Sequence, residues 1–248
     1  MNCFRKSMNY IRCLLLLGVC PAAVHAALFQ DINLQSSEHD TLRDNTDVNL
    51  TSSFTFQLGT FKDGFAPTAT NLTQWLDNWV VFHVADFNVV QESGQPDAPV
   101  FAFNDAGMTL DGTSVFSHSS NDGYDFSDQR AWLWVFNDSQ VTPSTTTEWF
   151  LGSATVWEFP DKANFDDEEA VSPFEVNWSL LDFQTSDVPI WGGQNGQEGA
   201  GYKEVFSPSA TLQTYKVIPE PGTWILMGIA GGAVLLGTRM RRRKGARQ

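Results

Sequence analysis

Three aspartates, Asp122, Asp125 and Asp128, fall within the polar stretch Asn121-Asp122-Gly123-Tyr124-Asp125-Phe126-Ser127-Asp128. Clustered carboxylates suit a hard cation such as Ca²⁺, which takes about 6–8 oxygen ligands. Their spacing is not that of a calcium-binding helix-loop-helix, and a solvated turn is the competing reading. The contiguous run Asp166-Asp167-Glu168-Glu169 reads as solvated loop charge. Two carboxylates about 5–9.5 Å apart across a groove could hydrolyse a glycosidic bond. Glu148, Glu158 and Glu175 sit on strand candidates, where outward polar positions account for them. His39, His83 and His118 lie far apart and lack the spacing of a zinc site. No GxSxG, GxGxxG or phosphate-binding loop is present. The loop from Trp191 to Gly201 joins an indole to glycines and amides, the composition of a sugar-binding surface. Its alternative is a surface loop with Trp191 folded onto the core. These observations lead us to expect no catalytic group and no cofactor, with Ca²⁺ at the Asp122–Asp128 loop as the one weak alternative.

The charge is unevenly placed. Residues 27–218 hold six of the 15 Lys and Arg but 28 of the 29 Asp and Glu, so this body carries a net charge of −22. Such a surface repels phosphate backbones and argues against nucleic-acid binding. Self-repulsion of this kind favours solubility. Cys3, Cys13 and Cys20 all fall near the amino terminus, so residues 21–248 can form no disulfide or thiolate metal site. The body must be held by a packed core.

The two ends read as signals. Arg5, Lys6 and Arg12 precede the short apolar stretch Cys13–Cys20, Pro21 ends it, and Val24-His25-Ala26 puts small residues before Ala27. This is the pattern of a leader removed by signal peptidase between Ala26 and Ala27, giving a signal peptide over 1–26. Lipid attachment at Cys20 is a weaker alternative, because Val19 and Pro21 flank it. At the other end, residues 222–238 are uncharged and include Trp224, Ile225, Leu226, Val234 and Leu235. That length is at the short edge of the ~17–25 residues that cross a bilayer in lipid. Arg239, Arg241, Arg242, Arg243 and Lys244 follow at once and would stay on the cytoplasmic side, leaving the body outside. Pro219-Glu220-Pro221 stands just before, where two prolines favour an extended segment that a membrane protease can bind as a strand. A rigid spacer in a permanently tethered protein is the plainer alternative.

Pro219-Glu220-Pro221, the glycine-bearing stretch 222–238 and the Arg239–Arg247 cluster, in this order, resemble the PEP-CTERM sorting tail, also called the ice-binding protein C-terminal domain. The resemblance implies recognition by an exosortase, an integral-membrane protease-like enzyme, in a bacterium of Gram-negative type that makes exopolysaccharide. It implies anchoring in the inner membrane with the body outside, then delivery to the cell surface or beyond. It covers about the last eighth of the chain and implies nothing about the body. Ice binding is not implied either, since no regular threonine repeat is present.

Between the signals, residues 27–47 read as a polar, mobile leading segment and 48–217 as the folded domain. Phe54, Phe56 and Leu58 alternate with polar residues, a half-buried strand ended by Gly59 and the Lys62-Asp63-Gly64 turn. A helical turn over Asn71–Trp75 precedes the buried strand Trp79–Val84. Val100–Phe103 and Met108–Leu110 flank Asn104-Asp105-Ala106-Gly107 as a hairpin, and Thr113–Phe116 follows another Asp-Gly. Ala131–Phe136 is the most apolar stretch and reads as a central strand. Trp149–Phe159, Phe174–Leu180 and Thr211–Val217 complete about eight strands, with no long amphipathic helix and no fixed repeat. Frequent turns between aromatic strands predict an all-β, antiparallel β-sandwich or jelly roll. Its expected role is that of a non-enzymatic surface or exopolysaccharide-matrix protein, or of a carbohydrate-binding or carbohydrate-active one.

Overall fold

A computed structural model describes residues 28–90, 98–103, 106–111, 114–117, 123–140, 146–160 and 175–217. The described strands begin with β1 (Leu28–Gln35), β2 (Leu42–Arg43) and β3 (Thr55–Phe61). After a 3-10 turn and the one-turn helix α1 (Trp75–Asn78) come β4 (Trp79–Val84), β5 (Asp86–Val90), β6 (Ala98–Ala102), β7 (Gly107–Asp111) and β8 (Ser114–Ser117). Then follow β9 (Trp132–Phe136), β10 (Glu148–Gly152), β11 (Glu175–Ser179), β12 (Gly193–Gln194), β13 (Gln197–Glu198), β14 (Leu212–Gln213) and β15 (Tyr215–Lys216). The described protein is all-β and mostly antiparallel, in three sheets.

The middle sheet runs β15-β10-β9-β3-β4, with β9 at its centre as its composition predicts. It is buried on both faces. Leu133 and Val135 join one apolar cluster with Phe56, Leu58, Phe82 and Phe150, which also takes Ile32, Leu34, Met108 and Val115 from the sheet opposite. Trp134 and Phe136 point the other way, into a second cluster with Phe61, Trp75, Trp79, Trp149, Trp191 and Tyr215. Successive side chains of a strand leave opposite faces, so two covered faces require an unbroken apolar run. Trp134 stands nearly perpendicular to Trp75, Trp79 and Trp149, with ring centroids 6.1, 5.4 and 5.2 Å away. Edge-to-face geometry of this kind adds about 0.5–1.5 kcal/mol per pair beyond the area buried. The strand β3 does not end at Gly59 but continues through a bulge between Leu58 and Gly59. Gly59 lies so close to β4 that an added Cβ would sit 2.3 Å from the Val80 carbonyl oxygen and 2.7 Å from the Trp79 ring.

The second large sheet has the order β5-β6-β1-β7-β8, and β11 lies along the other edge of β1. The leading segment is therefore not a free arm. Asp31, Asn33 and Gln35 are exposed while Ile32 and Leu34 are buried, an alternation that overall polarity conceals. Nor do β6 and β7 form a hairpin. They follow one another along a single edge of β1, with Gln35 opposite Ala102 and Asp31 opposite Gly107. The pairing of β1 with β11 is parallel, as is that of β2 with β14, so the arrangement is not purely antiparallel.

Two strands change sheets within a residue. Ala85 alone separates β4, in the middle sheet, from β5, in the sheet opposite. Thr214 separates β14, in a small third sheet of order β13-β12-β14-β2, from β15 in the middle sheet. The single final strand expected over Thr211–Val217 is thus divided. The long strand expected over Trp149–Phe159 also stops, at Gly152. Beyond it Trp157 N donates to Ala154 O in a turn, and Ala131 N and Phe159 N bond across to Trp157 O and Gln129 O at 3.0 and 2.8 Å.

Among the described residues no helix is long and apolar enough to cross a membrane, and the stretch 222–238 expected to do so lies outside them. So do Ala26, Ala27, Pro219, Glu220, Pro221 and the basic cluster Arg239, Arg241, Arg242, Arg243 and Lys244.

Two substitutions test the doubly covered sheet. Gly59→Ala must displace the Val80 carbonyl or the Trp79 ring and is expected to cost about 1–3 kcal/mol. Trp134→Ala empties the second cluster and is expected to cost about 3–5 kcal/mol. Urea unfolding of the full chain measures both, and wild-type midpoints would contradict the packing described.

Candidate functional site

The ends of two neighbouring strands build a pocket. In the pairing of β3 with β9, Gly59 lies opposite Trp132, so the exit of β3 and the approach to β9 share one end of the middle sheet. Beyond β3 the chain turns at Lys62-Asp63-Gly64-Phe65, where Phe65 N donates to Lys62 O at 3.0 Å and Gly64 has φ +79°. A positive φ at the third position is what a type II turn requires of glycine. Ahead of β9, Thr60 Oγ1 donates to Arg130 O at 2.9 Å, and the 157–159 segment holds residues 129 and 131 by their backbones. The result is an open cleft of about 280 Å³, lined by Lys62, Asp63, Phe65, Gln129, Arg130 and Trp132.

The side chains there are held in place. Arg130 donates from Nε to Ser153 Oγ at 2.8 Å and stacks its guanidinium 5.0 Å from the Trp132 ring centre. Lys62 Nζ donates to the Asp77 carbonyl at 2.6 Å, and Gln129 Nε2 to Asp63 Oδ1 at 3.0 Å. Asp63 also meets Tyr124, whose hydroxyl is held above its usual pKa, first by burial and then by the negative charge of Asp63. The lining offers one carboxylate, Asp63, and its hydroxyl, that of Thr60, is engaged by the backbone. Cations, amide and aromatic faces make this a place to hold a polar ligand.

Among the described residues, those singled out for chemistry are taken up by the packing and the turns. Trp191 is 5 % exposed, its indole N–H donates to Tyr215 O at 3.1 Å, and it has no free face for a sugar. The loop after it is a hairpin of β12 and β13, turned at Asn195-Gly196 with φ of 43° and 78°, the positive values that an Asn-Gly turn supplies. Asp125 Oδ1 accepts from Val115 N and Ser127 N, each at 3.0 Å, and from Ser127 Oγ. Burial would raise its carboxyl, but the hydrogen bonds from Ser127 and Val115 outweigh it and hold the pKa below the usual range. Asp125 thus organises a turn. Asp128 has φ +57° in that turn, and Asp122 lies outside the described residues. Among the described residues no three His, Cys, Asp or Glu side chains gather as a metal site would need.

The pocket residues escaped sequence reasoning. Lys62-Asp63-Gly64 is legible only as a turn, and Gln129-Arg130 only as the polar approach to an apolar strand. One signal was available: two of the body's six cations, distant in sequence, stand directly beside adjacent aromatic strands.

Glu148 is a second residue the pattern misplaced. Instead of pointing outward it is 8 % exposed. Its carboxylate accepts from Asn45 N at 3.1 Å, from Asn45 Nδ2, and from Thr214 Oγ1 at 2.8 Å, joining the third sheet to the middle one. Burial is the largest influence and raises its pKa. Thr214 and Asn45 oppose that rise, and the Asp44 charge adds to it. Lys216 is opposite Glu148 in the strand register, but its ammonium pairs with Glu204.

A raised carboxyl pKa contributes stability that is complete below the unfolded value of about 4.3 and is lost as pH rises through the folded one. Glu148→Gln removes that loss. The melting temperature of the variant relative to wild type should therefore rise as pH increases above about 4.3, the unfolded value. A pH-independent difference in thermal denaturation would contradict this assignment.

No family model, curated protein or solved structure matches the chain, so the likeness of its tail to a sorting signal rests on the tail residues alone.

Proposed function

We propose that this is an exported, non-enzymatic β-sandwich protein of a bacterial cell surface or exopolysaccharide matrix, delivered by its two terminal signals. One observation carries the reading: Pro219-Glu220-Pro221, the uncharged stretch 222–238 and the basic cluster from Arg239 stand in the order of an exosortase-read tail. The leader supports it, and so does a body of net charge −22 with no cysteine. Both signals flank the packed region. The strand β1 begins at Leu28, one residue beyond Ala27, and Val217, wholly buried, precedes the Pro-Glu-Pro segment. Signal peptidase would remove residues 1–26, the segment 222–238 would hold the inner membrane, and exosortase would then act near Glu220.

A second reading, a carbohydrate-binding protein of the same location, is favoured by the pocket of Lys62, Asp63, Phe65, Gln129, Arg130 and Trp132. Aromatic faces for a ring and fixed polar groups for its hydroxyls are what a small-ligand site combines. Its single lining carboxylate supports binding over the paired-carboxylate hydrolysis of a glycoside.

Mass spectrometry of the exported protein tests the first reading. In a strain with active exosortase, the recovered chain should begin at Ala27 and lack the segment 222–248. Replacing Pro219-Glu220-Pro221 with Ala-Ala-Ala should leave the longer form in the membrane fraction. Recovery of the intact tail on the mature wild-type protein would overturn the sorting assignment.

A further inference from the structure

The two cations of the pocket are unusual in this protein. With 28 acidic residues in the body, a basic side chain is expected to find a carboxylate. Arg43 pairs with Asp47, Lys203 with Glu198 and Lys216 with Glu204. Lys162 lies outside the described residues. The remaining two, Lys62 and Arg130, have no carboxylate within 4.0 Å among the described residues, and both line the same pocket. Each is anchored by neutral oxygens instead: Lys62 by the Asp77 carbonyl, and Arg130 by Ser153. Anchors of this kind orient each charge. Against the rise that burial would give, the field of Arg130 reaches Asp187 and helps hold its carboxyl below the usual range. Neither cation forms an ion pair with a carboxylate among the described residues.

The rest of the lining narrows the ligand. Phe65 and Trp132 are half-buried, offering apolar surface beside the cations. Asp63 is an acceptor, and Gln129, which donates to it through Nε2, also carries an amide oxygen able to accept. The volume of about 280 Å³ falls just below the ~300–1,000 Å³ typical of small-ligand sites, room for one ring and its substituents. A densely charged polyanion is opposed by the −22 body. A single carboxylate next to two cations is not, because charges beyond about 8 Å are largely screened at physiological salt.

We propose that the pocket binds a sugar ring bearing a carboxylate, a hexuronate-type unit at a chain end or isolated among neutral sugars. Its carboxylate bridges Arg130 and Lys62 through charge-assisted hydrogen bonds. Its hydroxyls meet Asp63 and Gln129, and its apolar face rests on Phe65 or Trp132. This inference rests on the carbohydrate-binding reading above and specifies the class of sugar.

Calorimetric titration of the full chain in mild detergent tests it, with methyl glucuronoside and methyl galacturonoside, the matching neutral methyl glycosides, and acetate as probes. At least one uronoside should bind, with its neutral counterpart and acetate each weaker by tenfold or more. Lys62→Gln and Arg130→Gln should each weaken that binding about tenfold. Because Arg130→Gln also removes the contact with Ser153, its melting temperature is checked, and Lys62→Gln, on an exposed turn, serves as the second variant. Uronoside binding unchanged in both folded variants would overturn the proposal, as would acetate binding as tightly as the uronosides. Neutral glycosides binding equally well, with loss in Phe65→Ala, would overturn the carboxylate while leaving the carbohydrate reading intact. No binding by any glycoside would remove both.

Discussion

The fold depends on one sheet being covered on both faces. Without a cysteine beyond Cys20, residues 28–217 have no covalent tie between distant segments, and cohesion must come from burial. The centre of the middle sheet answers this with β9, whose residues from Leu133 to Phe136 are all buried and alternate between two clusters. At about 25 cal/mol per Å² of apolar surface, aromatic side chains burying some 150–250 Å² each dominate such a core. The opposite sheet covers one face. The helix α1, the segment around Ile190 and Trp191, and Phe206 cover the other. This explains why so many loops are firmly bonded: they form the second lid of the sheet.

The covering arrangement decides where a ligand can reach the middle sheet. Neither face of the middle sheet is open, so access is left to its ends, where strands enter and leave. At one end β3 runs out into Lys62-Asp63-Gly64 and the Gln129-Arg130 segment runs into β9. Polar residues are tolerated there because their heads reach water while Phe61 and Trp132 beneath them seal the core, their rings 6.1 Å apart. Long cationic side chains suit such a border, with apolar stems on the aromatics and charges outward. The pocket is a consequence of the same strand register that builds the core.

What could be read from the sequence follows from how local the governing contacts are. The strands Trp79–Val84 and β9 were legible because burial on two faces produces an apolar run that needs no knowledge of its neighbours. The strand β1 was not, because Ile32 and Leu34 point inward between exposed Asp31, Asn33 and Gln35, and their partners lie across a long sequence gap. The turn-like Asn104–Gly107 stretch suggested a hairpin, but β6 and β7 both pair with β1. Thr211–Val217 looked like one strand because its composition runs on unbroken while its hydrogen-bond partners change sheets at Thr214. Trp191 and Glu148 were misjudged for opposite reasons. An indole near glycines resembles a sugar platform until the core is seen to need it, and a glutamate on a strand passes for solvent-facing until Asn45 and Thr214 enclose it. The pocket residues, drawn from two segments far apart in sequence, become a group only once β3 and β9 are paired.

The packed body has a bonded edge at Val217, the last of the described residues. Val217 is fully buried and donates its N–H to Thr147 O at 2.8 Å, so the backbone is fixed immediately before the segment an exosortase would need to grip. Were the tail cleaved as proposed, this bonded boundary would protect β15 and the Glu148–Thr214 contact behind it. Burial keeps Glu148 harder to ionise, while its hydrogen bonds bind the third sheet to the middle one. The charge pattern then divides the labour. Carboxylates outnumber cations 28 to six over the body, while Lys62 and Arg130, the latter over the Trp132 ring, share one small region at the end of the middle sheet.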